Sequence, residues 1–123
     1  RTVYKWSLAL HLLAQQNISA TPKTAIQLTS LEQAELSVQV PDWEVIVSEG
    51  IETLRRVYKL KTFLAAMEFA NQISTIAEQG DHHPALLIEW GRVTVTWWSH
   101  SIGGLHLNDF VMAAKTDEIY STL

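Results

Sequence analysis

Apolar residues recur along the chain with two different periods, and the places where the period changes mark the elements. Thr29-x-x-Glu32 and Ser30-x-x-Gln33 both have capping-box spacing, and Leu31, Ala34 and Val38 then recur at helical intervals until Pro41 forbids continuation. The pattern predicts a first helix over roughly residues 30–39. From Trp43 the period drops to two, with Trp43, Val45 and Val47 on one face, Ser48-Glu49-Gly50 as a turn and Ile51 to Leu60 as a second strand. This predicts a β-hairpin. Lys61 to Gln79 contains no Gly or Pro, and Phe63, Ala66, Met67, Ala70, Ile73 and Ala77 form a helical stripe suited to lie across a sheet, with Gly80 where a left-handed cap belongs. After Pro84, Ala85 to Trp90 and Arg92 to His100 read as two strands around Gly91, with Val93, Val95 and Trp97 on one face and Thr94, Thr96, Trp98 and His100 on the other. Gly103-Gly104 makes the next loop pliable, and a last helix runs from Leu107 to Tyr120 with Phe110, Val111 and Ala114 inward.

The order α-β-β-α-β-β-α predicts an α+β fold, a four-stranded antiparallel sheet with three helices packed on one face. The domain is expected over residues 29–123. Residues 1–28 are read as an N-terminal extension of unassigned role: Val3, Tyr4, Trp6, Leu8, Leu10, Leu12 and Leu13 precede a polar segment, Asn17 to Thr24, that contains a breaker. A short helix, a remnant of a targeting segment and an ordered extension all fit this stretch.

Composition narrows the function classes. At 123 residues and 47% hydrophobic content the chain suits one globular core, and no apolar run reaches the roughly 18 residues of a membrane span. The absence of cysteine removes disulfides, thiolate zinc sites and thiol nucleophiles together. A formal net charge of −4 argues against nucleic acid as a direct partner. The one basic cluster, Arg55, Arg56, Lys59 and Lys61, lies in a strand-like run and reads as a solvated or edge-protecting face.

Four of the five histidines, His82, His83, His100 and His106, fall between residues 82 and 106. Imidazole, with an ordinary pKa of about 6.5, both gives and takes protons near neutrality, so this clustering points to acid/base work or a metal site. Each residue alone has a plainer reading. A histidine after a helix cap is commonly a loop residue, Asp109 at the third position of a helix commonly pairs with free backbone N–H groups, and Trp90 and Trp98 are commonly sheet packing. Because Pro84 pushes His83 into extended backbone, His82 and His83 point to opposite sides, and one of them is expected to be the main catalytic group. A Ser99–His100–Asp109 triad is excluded, since adjacent strand residues project to opposite faces.

Taken together, Asp81-His82-His83-Pro84, then Trp90, His100 and Asp109, resembles the signature of the pterin-4a-carbinolamine dehydratases. The likeness runs from Trp43 to about Tyr120 and more loosely to the helix at Ser30. It departs at His106, where relatives carry a Ser or Thr cap, and at Leu86, commonly aromatic or polar in relatives. The resemblance implies dehydration of a 4a-hydroxytetrahydropterin to the quinonoid dihydropterin in tetrahydrobiopterin recycling. His82, His83, His100 and Asp109 would be catalytic: one of His82 or His83 and His100 would form the acid/base pair, with Asp109 orienting an imidazole or raising its basicity. Asp81, Pro84, Trp90 and Trp98 would contact substrate. It further implies no cofactor, no metal (a zinc site on these imidazoles being the minor alternative), a homodimer or homotetramer, and a cytoplasmic place or an organellar stroma or matrix. A non-catalytic or dual-role interaction module, coactivator-like or RuBisCO assembly chaperone-like, is the alternative reading.

Overall fold

The chain reverses twice at residues held in left-handed backbone, and those reversals define the sheet. The computed structural model describes residues 12–123; the expectations attached to Val3, Tyr4, Trp6, Leu8 and Leu10 lie outside the described residues. Strand β1 (Glu44–Ser48) turns at Glu49 and Gly50, with φ 51° and 79°, into β2 (Ile51–Lys59). Two positive φ values at a two-residue turn match the twist of the flanking strands. Strand β3 (Ala85–Glu89) turns at Trp90 and Gly91 into β4 (Arg92–Trp97). All pairings are antiparallel and the strand order is β1-β2-β4-β3, so β2 and β4 are central.

Three helices complete the α+β arrangement: α1 (Ser30–Leu36), α2 (Phe63–Gly80) and α3 (Leu107–Ser121). They cover one face of the sheet. Along β4, Val93, Val95 and Trp97 are fully buried while Thr94 and Thr96 stay partly exposed on the bare face. The core joins those residues to Leu54 and Tyr58 of β2, Phe69 and Ile73 of α2, and Phe110 and Val111 of α3. Leu13, in a short 3-10 turn (Leu13–Gln15), belongs to the same core with no exposure at all, and Lys115 donates to the Ala14 carbonyl at 2.7 Å.

Four expectations are corrected. The apolar row expected of the first helix, Leu31, Ala34 and, in the 3-10 turn that follows α1 (Ser37–Gln39), Val38, faces outward, and Glu32, Gln33 and Leu36 are buried instead. The capping box at Thr29 draws the Glu32 carboxylate back to the Thr29 N–H at 3.0 Å, and Gln33 is held inward by bonds to the Leu28 carbonyl and Glu52. On α2, Phe63 and Met67 are exposed and Phe69 takes the buried place beside Ala66, Ala70, Ile73 and Ala77. Gly80 ends the helix rather than capping it; the left-handed cap is Asp81, with φ 46°. A Cβ on Gly80 would stand 2.8 Å from Ile18 Cγ1, so close approach explains this glycine. Finally, the basic cluster does not guard an edge, because β2 is central: Arg56 turns under α3, donates to Asp117 at 2.7 Å and lies 4.3 Å over the Tyr58 ring. Asp117 also accepts from Trp43 Nε1 at 2.9 Å and from the Tyr58 hydroxyl, locking α3 to the sheet.

Candidate functional site

The end of α2 aims one histidine into the protein and the next one out. Left-handed Asp81 lets the His82 N–H donate to the Ala77 carbonyl at 3.1 Å, which folds the chain back over the helix end. His82 is then only 5% exposed, its ring stacked parallel on Trp97 at 5.7 Å and 6°. Its Nε2 lies 2.6 Å from Asp109 Oδ1. Asp109 is completely buried at the third residue of α3, and its other oxygen, Oδ2, accepts from Ser99 Oγ at 2.9 Å and from the His106 N–H at 3.0 Å.

This inventory of donors fixes the chemistry of the pair. Two donors, the Ser99 hydroxyl and the His106 N–H, converge on Oδ2 in the first turn of α3, and both favour the ionised carboxylate. His82 Nε2 therefore carries the hydrogen, and Nδ1, which has no hydrogen-bond partner among the described residues, presents the lone pair. The cap substitution noted at His106 is resolved too: its Nδ1 accepts from the Asn108 N–H at 3.1 Å, so imidazole does the work of the usual hydroxyl.

His83 is exposed, with Nε2 2.5 Å from Glu78 Oε2 on the last turn of α2. His100 is exposed and stacks on Trp98 at 4.3 Å and 28°. Ala85 pairs with Thr96, so the chain leading back from β3 through Pro84 to His83 and His82 runs along the chain leaving β4 through Trp98 to His100. Both arms of the signature thus meet at one end of the sheet, with Asp109 arriving beneath them on α3. Asp81 is exposed at the rim of the same corner and Pro84 is partly buried there. Trp90 is not with them. It is 77% exposed in the hairpin turn at the other end of β3, five strand residues or roughly 17 Å away at the usual rise. A concavity of about 540 Å³ on the bare face, over Arg55, Leu87 and Thr94, contains none of the histidines.

Ser99 is the site residue that sequence reasoning set aside. As a nucleophile beside His100 it is excluded, yet Val93, Val95, Trp97 and Ser99 continue one inward row, and a polar residue at an inward position is the signal the sequence carries.

The family model described as pterin 4 alpha carbinolamine dehydratase matches residues 26–119. A protein of Marinobacter nauticus that bears the name pterin-4-alpha-carbinolamine dehydratase is 51% identical over 108 residues, covering 88% of this chain and 97% of that protein. The crystal structure of a transcriptional coactivator/pterin dehydratase from Brucella melitensis superposes with a TM-score of 0.68 at 34% identity, covering 76% of this chain and 98% of that one. With a match over residues 26–119 and a relative 51% identical over nearly its whole length, this chain belongs to the pterin 4 alpha carbinolamine dehydratase family of hydro-lyases.

Proposed function

We propose that the protein dehydrates a 4a-hydroxytetrahydropterin to the quinonoid dihydropterin, as in tetrahydrobiopterin recycling, by histidine acid/base catalysis. The reaction breaks the C4a–O bond and forms a double bond from C4a to the neighbouring ring nitrogen. A proton must reach the departing hydroxyl, and one must leave that nitrogen; the two balance, and water is the only other product. The observation that carries the reading is the His82–Asp109 pair. A tautomer fixed with Nε2–H on a buried carboxylate makes Nδ1 the accepting atom, and the carboxylate compensates the imidazolium formed when the nitrogen's proton arrives. His100, exposed at the same corner, supplies the proton to the hydroxyl, and His83 binds the substrate. Trp98, already stacked on His100, offers the flat pterin an aromatic wall.

The test is elimination from 4a-hydroxytetrahydropterin generated in situ, followed by the rise of the quinonoid product. His82→Ala and His100→Ala are each expected to lose roughly 10²-fold or more, the usual scale of positioned proton transfer, and the double variant much less than the product of the two. Near-wild-type rates in both single variants would overturn the assignment.

A protein-binding role beside the chemistry has one observation in its favour. The Brucella melitensis relative is described as a coactivator as well as a dehydratase, and α2 here presents Phe63, Leu64 and Met67 to solvent. Because the acid/base corner is intact, such a role would add to the enzyme rather than replace it.

A further inference from the structure

Asp109 is reached from a direction that the reaction chemistry does not use. Ser99 Oγ spends its hydrogen on Asp109 Oδ2 at 2.9 Å, so at the 3.2 Å contact between Ser99 Oγ and Thr21 Oγ1 the hydrogen must come from Thr21. Thr21 Oγ1 in turn accepts from Asn108 Nδ2 at 2.9 Å, and the second hydrogen of that amide goes to the Ser19 carbonyl at 2.9 Å. One polarity runs from the Asn108 amide through the Thr21 and Ser99 hydroxyls to the Asp109 carboxylate, which His82 Nε2–H meets from the other side. Each group donates toward the charge, and bonds aligned in this sense strengthen one another in a dry interior. The interior is dry, since Thr21 and Asn108 are each 8% exposed and Ser99 and Asp109 not at all.

The same segment also grips the loop that follows β4. Ser101 Oγ donates to the Thr21 carbonyl at 2.9 Å, Gln27 Nε2 to the Ile102 carbonyl at 2.8 Å, and the Leu28 N–H to the Leu105 carbonyl at 2.9 Å. Gln27 lies so close over Gly104 that a Cβ there would meet its Cδ at 2.4 Å. His100 sits inside the gripped stretch.

We propose that Thr21 is a positioning residue for the dehydration, acting through Ser99 on Asp109 and so on His82. It lies outside the stretch matched by the family model, which begins at residue 26. The inference rests on His82 being the base. Thr21 touches no reacting atom; it holds Ser99, whose hydroxyl holds the carboxylate oxygen that does not face the imidazole, and so steadies the direction in which Oδ1 orients the ring. Losing an outer partner that orients a metal ligand costs roughly ten-fold or more in activity, and a loss of about that size is expected for a hydroxyl that orients a catalytic carboxylate.

The experiment measures kcat, KM and the pH profile of kcat for Thr21→Val, Thr21→Ala and Thr21→Ser in the full chain, each at a temperature where circular dichroism shows it folded. We expect Val and Ala to lower kcat about ten-fold with KM nearly unchanged and to displace the pH profile, while Ser restores both. In a His82→Ala background Thr21→Val should cost nothing further. Unchanged kcat and pH profile in folded Thr21→Ala, with His82→Ala inactive, overturns the role of Thr21 and leaves the base in place. Near-wild-type rates in His82→Ala overturn the base itself, whatever Thr21 does. A loss in Thr21→Val that persists undiminished in the His82→Ala background assigns Thr21 to stability and also overturns the proposal.

Discussion

At Asp109 three donors converge on one carboxylate: the two on Oδ2 favour its charge, and that charge holds the hydrogen on His82 Nε2. Asp109→Asn keeps the shape but supplies only one acceptor oxygen for those three donors. We expect kcat to fall about 10²-fold, with a smaller effect on KM, in steady-state dehydration assays. His106→Ala tests the neighbouring cap: it should lower stability by about 1 kcal/mol in thermal or urea melts, and His106→Ser should recover most of that. Adjacent placement before Pro84 made the inward and outward histidines legible as a pair in the sequence. Which of them faces inward was not legible, because that depends on the left-handed Asp81, an acidic residue in a conformation more often given to glycine. Thr21 was equally hidden, since its partner Ser99 lies 78 residues away and only the fold brings them together.

Elements were predicted best where period and caps agreed, as in α2, both hairpins and α3. Faces were predicted less well, because polar side chains with specific partners displaced apolar ones. Glu32 and Gln33 are buried for their hydrogen bonds, and Leu31 and Val38 are left outside. Gly80 gives a direct test of the packing between α2 and the N-terminal segment. Alanine is favoured over glycine by about 1 kcal/mol in a helix interior and by less at a last residue such as Gly80, but its Cβ would press Ile18 Cγ1 at 2.8 Å. Gly80→Ala should therefore destabilise the wild type in urea melts and stabilise an Ile18→Ala background, a change of sign that a double-mutant cycle reads directly. The joint between β2 and α3 gives a second test. Burial, and then the Asp117 carboxylate, push the Tyr58 phenol well above its ordinary range, so the folded state holds that proton more tightly than the unfolded chain does. The resulting stability is full below the ordinary phenol pKa, about 10, and declines as pH rises beyond it. Urea midpoints should fall above that pH in the wild type and less steeply in Tyr58→Phe, which should itself lose about 1 kcal/mol at neutral pH.

For the molecule as a whole, the corner formed by the ends of α2, β3 and β4 and the start of α3 concentrates the chemistry, and the N-terminal segment closes it from behind. Two features point outward. Among the described residues, edge strands β1 and β3 carry backbone groups that no further strand pairs, and α2 exposes Leu64 and half of Phe63. We expect a dimer or tetramer by light scattering at micromolar concentration, reduced to a smaller species by Leu64→Glu; a monomer mass for the wild type would remove this expectation. The fold class, with its four antiparallel strands and three helices, was legible from period and turns alone, because each local choice agrees with the global one. The part played by residues 12–28 was not, since a single buried leucine and a few polar bonds leave no periodic trace. The measurement that bears most directly on the central claim is the rate of water loss from 4a-hydroxytetrahydropterin with wild-type protein and with His82→Ala. We expect a clear acceleration over buffer by the wild type and loss of roughly 10²-fold or more in a folded His82→Ala; no acceleration by the wild type, or an undiminished rate in the variant, would overturn the assignment of His82 as the base.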